Sequence, residues 1–126
     1  MTQPQVLWQD TLKPEHITAA VEYLGLIFSE RDMEKCKLML EKHKSNISMH
    51  KAKDILRAAV TPPLPATDGE VRDHLKKIHE GKPLHPVILV SKVQHEKLEI
   101  ADGYHRVSAC YSIDDATEVA AVHIDI

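Results

Sequence analysis

The sequence predicts a mixed α/β domain, a small mixed sheet flanked by helices and preceded by an N-terminal helical hairpin. Three observations predict it. Apolar residues recur at helical spacing through the first third of the chain. A continuous apolar run, Val87-Ile88-Leu89-Val90, follows Pro86 and suits a strand buried on both faces. The C-terminal stretch from Val119 to Ile126 alternates with the period of two that a strand requires.

The chain has 126 residues, the size of one domain. Its hydrophobic fraction of 43% and charged fraction of 28% are those of a globular protein and argue against disorder along the whole chain. The formal net charge of −3 speaks against general nucleic-acid binding, which needs a strongly basic surface, but leaves room for a local basic pocket. No apolar run approaches the roughly 20 residues of a membrane span. The opening Met1-Thr2-Gln3-Pro4-Gln5 lacks the basic and apolar regions of a secretory leader, so a cytoplasmic location with reduced thiols is expected. The two cysteines, Cys36 and Cys110, form no disulfide framework and sit in apolar helical patterns as small hydrophobes.

Residues 1–13 carry Trp8 but little periodicity. Pro14 suits a first helical position, and Ile17, Ala20, Val21, Leu24, Ile27 and Phe28 follow on one helical face. Ser29-Glu30-Arg31-Asp32 has the form of a capping box and starts a second helix with a Met33, Cys36 and Leu40 stripe. Residues 1–46 therefore read as a helical extension, and 47–126 as one compact unit. Ile47 to Ala52 is expected to be a short strand, which would set Lys51 and Lys53 on a shared face. A short helix follows over Asp54–Ala59. Pro62-Pro63-Leu64-Pro65 excludes regular structure. Thr67-Asp68-Gly69-Glu70 reads as a capping box for a helix marked by Val71, Leu75 and Ile78 and stopped by Gly81. Further strands are expected near 87–91, 98–101 and 119–124, with a helix from about Tyr104 to Ser112.

The stretch with the most chemistry is the turn Asp102-Gly103-Tyr104-His105-Arg106 between a strand and a helix. Gly103 allows a positive φ or a close backbone approach. A helix start offers unpaired N–H groups and partial positive charge. His105 and Arg106 add side-chain donors, and an arginine can hold a phosphate with two parallel bonds. Together these make a candidate phosphate cradle. An ordinary strand-to-helix turn would have the same local sequence. No His-Glu-x-x-His or Cys-x-x-Cys spacing occurs, so no metal site is assigned.

From about His50 to Ile126 the order of features resembles the ParB/sulfiredoxin superfamily. The resemblance runs through Met49-His50-Lys51-Ala52-Lys53-Asp54-Ile55-Leu56-Arg57, the proline-rich link, Lys82-Pro83, the strand led by Pro86, and Gly103-Tyr104-His105-Arg106. It implies a nucleotide or another phosphorylated small molecule bound at Asp102–Arg106. Arg57, which matches the arginine before the family's proline-rich link, and Lys77, on the helix that lines the nucleotide site in relatives, would complete the pocket. ATP or CTP with Mg2+ would be the cofactor. Tyr104 stands where sulfiredoxins carry their cysteine, and a phenol with a pKa near 10 cannot replace a thiolate nucleophile, so sulfinic-acid reduction is not expected. The resemblance leaves three roles open. One is a regulatory binding module. A second is a small ATP-dependent phosphotransferase or nucleotide hydrolase, with Asp102, Asp54 and Glu30 as candidate carboxylates. The third is a domain with a vestigial pocket that contacts a protein partner.

Overall fold

The computed structural model describes residues 3–126, and in it the β-branched runs become the centre of a four-stranded mixed sheet. The chain runs α1 (Pro14–Leu24), α2 (Glu30–Lys42), β1 (Ser48–Lys51), α3 (Ala52–Ala58), α4 (Gly69–His79), β2 (Val87–Ser91), β3 (Glu99–Asp102), α5 (Tyr104–Ile113) and β4 (Glu118–Asp125). The strands lie side by side in the order β1-β4-β2-β3. β4 pairs antiparallel with β1 and parallel with β2, while β2 pairs antiparallel with β3.

The two central strands explain the two apolar runs. Val87 to Val90 are buried without a break, as continuous apolarity requires between two helical layers. β4 differs from the expected strand with one apolar side. Its residues Val119 to Val122 are all buried, because α2 covers one face and α3 and α5 the other. Alternation returns only toward the end, where His123 and Asp125 are exposed and Ile124 is buried.

The helical hairpin forms, and it is part of the core. Leu12, Ile17, Ala20, Leu24, Cys36 and Leu40 pack against Ile88, Val90, Ala101, Val122 and Ile124 on one sheet face. On the other face α3 and α5 supply Ile55, Leu56, Val107 and Cys110 against Val87, Leu89, Val119 and Ala121. The result is three layers, helix–sheet–helix, in which α1 and α2 cover one face of the sheet. A polar clasp adds to this contact: the Tyr23 hydroxyl donates to Glu99 Oε1 at 2.6 Å, and His95 Nε2 lies 2.6 Å from Glu99 Oε2. Burial of Glu99 opposes its charge, yet these hydrogen bonds outweigh it and hold the carboxyl below its usual pKa.

Several local expectations change. The first strand ends at Lys51, and Ala52 already starts α3, so Lys53 belongs to a helix and shares no strand face with Lys51. The backbone N–H groups of Ala52 and Lys53 bond to the carbonyls of Thr117 and Asp115, which turns the chain out of the sheet. α1 stops at Leu24, and Ile27 and Phe28 lie in the following turn. Ser29 caps α2 by accepting from the Asp32 N–H, as its motif predicts. For α4 the cap is Asp68, one residue later than the motif placed it; its carboxylate accepts from the N–H groups of Glu70 and Val71. The aperiodic N-terminal segment is also anchored, since Trp8 pairs with Leu84 and the Leu84 N–H bonds to the Leu7 carbonyl at 2.8 Å.

Because the helices on both faces pack on the same sheet, helices and sheet should unfold together. Leu24→Ala removes a fully buried side chain between α1 and the sheet, and should cost about 2–5 kcal/mol. Urea unfolding followed by far-UV circular dichroism should show one transition moved to lower denaturant; a separate early transition of the hairpin would contradict the shared core.

Candidate functional site

The turn after β3 takes the conformation its sequence requires. Gly103 has φ +106°, the left-handed region that side chains rarely adopt. A Cβ at this position would also lie 2.4 Å from Val87 Cγ1, so backbone and β2 approach as only glycine permits. The register slips between Ile88 and Leu89 where β3 delivers Asp102 opposite Ile88. α5 then starts at Tyr104 without a side-chain cap, and the first bond within it runs from the Val107 N–H to the Gly103 carbonyl at 2.9 Å. The N–H groups of Tyr104, His105 and Arg106 thus have no partner inside the helix.

Beside this helix start lies a cleft of about 370 Å³. Four segments line it. α1 and its cap contribute His16 and Lys13, and α4 contributes Glu70, His74 and Lys77. The link after α4 contributes Lys82 and His85, and the turn contributes Asp102, Gly103, His105 and Arg106. Glu70, His74 and Lys77 are spaced by four and three residues, which puts them on one face of α4.

Arg106 departs from its expected role. Its side chain is only 6% exposed, and its donors are engaged within the protein. Nη2 bonds the Asp102 carboxylate, and Nη1 bonds the His85 carbonyl at 2.9 Å and the Pro86 carbonyl at 3.3 Å. The guanidinium therefore fastens the β3–α5 turn to the start of β2 instead of presenting a free fork to a ligand. Burial draws its pKa down, and the Asp102 carboxylate opposes that. Arg57 departs further. It is 82% exposed, pairs with Asp54 at 2.7 Å, and does not line the cleft. Lys77 does line it. The Tyr104 side chain turns away, with its hydroxyl donating to the Pro62 carbonyl, and borders a neighbouring cleft of about 400 Å³ that shares Asp102, Gly103 and His105.

His16, His74 and His85 are the cleft histidines that sequence reasoning missed, and His105 is the one it named. His16 Nδ1 lies 3.3 Å from Arg106 Nη1 and 3.8 Å from Asp102 Oδ2, and its ring meets that of His85 edge-on at 5.3 Å. His105 Nδ1 is 3.2 Å from Glu70 Oε2, and its Nε2 is 3.9 Å from Asp68 Oδ1. His74 Nδ1 is buried with no hydrogen-bond partner. Burial, then the Arg106 charge, lowers the pKa of His16 and takes that of His74 down to about 4. Burial and then Lys13 lower that of His85. A signal was present in the sequence, since Lys13/His16, His74/Lys77 and Lys82/His85 are lysine–histidine pairs three residues apart.

Both thiols lie outside this chemistry. Burial raises the pKa of Cys36 and pushes that of Cys110 up to about 12, so neither is a thiolate near neutral pH. Among the described residues no helix is long and apolar enough to cross a membrane. No family model, curated protein or solved structure matches the chain.

Two outcomes follow from these contacts. Arg106→Ala leaves Asp102 and two carbonyls without their donor, so it should destabilise the fold by about 3–5 kcal/mol. Chemical denaturation measures this, and an unchanged midpoint would remove the pair from its structural role. The second outcome concerns acid. The pKa of His74 is about 4 in the folded protein against the ordinary 6.5 of an unfolded chain, so between these the unfolded chain binds the proton first. The histidine's contribution should be intact above about pH 6.5 and fade as pH falls toward 4. Thermal melts across that range should show His74→Gln losing part of the pH dependence.

Proposed function

We propose that this chain is a ParB/sulfiredoxin-like regulatory domain of the cytoplasm that binds a nucleotide or another phosphorylated small molecule in the cleft at the start of α5. The observation that carries this reading is the cleft's composition. In a chain of net charge −3, its lining gathers Lys13, Lys77, Lys82 and Arg106 with four histidines and two carboxylates, Glu70 and Asp102. It gathers them beside an uncapped helix N-terminus, where N–H groups and the helix dipole favour an anion. The volume is within the range of small-ligand sites. ATP or CTP, with Mg2+ as counter-ion, is the ligand this reading expects.

Of the carboxylates named from the sequence, Asp102, Asp54 and Glu30, none is a free base in the cleft, which favours binding over phosphoryl transfer. A transferase needs a base free to orient the acceptor. Asp102 is held by Arg106, and Asp54 pairs with Arg57 away from the cleft.

Titration of the full chain with ATP, CTP and GTP, with and without Mg2+, should give saturable binding for at least one nucleotide without phosphate release. Lys77→Ala should weaken it about tenfold, corresponding to 1.4 kcal/mol. Arg57→Ala should leave the affinity unchanged. No binding of any nucleotide would overturn the reading, and release of inorganic phosphate would favour an enzyme.

A further inference from the structure

We infer that anion binding in this cleft is coupled to proton uptake by its histidines, so that the cleft takes a dianion or polyanion together with protons. The inference rests on the phosphate-binding reading above and adds its regulation by pH.

Most of the permanent positive charge here is already compensated. Lys13 pairs with Glu15 at 3.3 Å, Lys82 with Glu80 at 3.1 Å, and Arg106 with Asp102. Among the described residues, Lys77 is the one cation of the cleft without a carboxylate partner. The remaining capacity for positive charge is in the imidazoles.

Each imidazole faces groups from more than one element. His16 on α1 meets Arg106 and His85, with Asp102 at 3.8 Å and Lys13 one turn back. His85 feels Lys13, Arg106 and Lys77, opposed by Glu15. His74 on α4 feels Arg106, Lys77 and His105, opposed by Asp73. His105 on α5 faces Glu70 and Asp68.

His16 Nδ1 stands between a donor and an acceptor. A guanidinium only donates, so a hydrogen bond across the 3.3 Å to Arg106 Nη1 requires a lone pair on Nδ1 and a neutral ring. A proton on that nitrogen would end the contact and leave Asp102 Oδ2, now 3.8 Å away, as the acceptor. His74 has the complementary property: its buried Nδ1 lacks any partner. Burial and neighbouring cations lower the pKa of both rings and favour their neutral forms. An entering anion reverses the sign of that local potential and favours the imidazolium forms.

Sulfate is the probe, because it stays a dianion while histidine titrates. Calorimetry in buffers of different ionisation enthalpy should reveal proton uptake on sulfate binding between about pH 5 and 7. Affinity should fall with rising pH, by up to about tenfold per unit for each proton taken up. His16→Gln and His85→Gln should each reduce the uptake and flatten the profile. Imidazole NMR titrations of the wild type provide a readout that needs no variant, and saturating sulfate should raise the pKa values of His16, His74 and His85. Sulfate binding without proton uptake, and with unmoved imidazole titrations, would overturn the coupling while the phosphate site stands. Absence of sulfate and nucleotide binding at every pH would overturn the site and the coupling together.

Discussion

The ion pair between Asp102 and Arg106 organises the end of the molecule where the cleft lies. It links the two ends of the five-residue β3–α5 turn, and its guanidinium also reaches the carbonyls of His85 and Pro86 at the entry to β2. Two charges out of water are costly unless they are paired and hydrogen-bonded, and here both conditions are met. Two segments some 20 positions apart in sequence are thereby held at one point. Gly103 is the condition for this arrangement, since any Cβ there would strike Val87 and, at 2.9 Å, Arg106 Nη2.

The same arrangement explains why the N-terminal helices belong to the site. α1 is pinned by its apolar stripe, Ile17, Ala20 and Leu24, against the sheet. That packing sets the polar edge of the helix over the turn, so His16 meets both members of the ion pair and Lys13 lines the cleft. The Tyr23 bond to Glu99 holds the other end of α1 to β3. Core packing and cleft chemistry therefore use adjacent faces of one helix, with His16 next to Ile17 in sequence.

Much of the fold was legible because local periodicity reports local burial. Val87–Val90 declared a strand between two layers, and the Ile17, Ala20, Leu24 spacing declared a helix with one buried face. Errors arose where a tertiary contact decided between local options. Ala52 and Lys53 leave the strand because the carbonyls of Thr117 and Asp115 capture their N–H groups. β4 lost its expected polar face because helices cover it on both sides.

By itself the sequence determined the elements, the left-handed turn at Gly103, and the uncapped start of α5, because each depends on residues within a few positions of one another. Only the tertiary structure decided which side chains surround that start. Arg106, adjacent in sequence, was drawn inward by Asp102 and two carbonyls, whereas His16 and Lys13, some 90 positions away, were brought to the rim. Arg57 was turned to solvent beside Asp54, and Lys77 was kept in place by the face it shares with Glu70 and His74. The physical reason is that spacing along a chain encodes which face of an element is buried, but the meeting of faces from different elements depends on how strands order and helices cross. That ordering, β1-β4-β2-β3, is a property of the packed core as a whole.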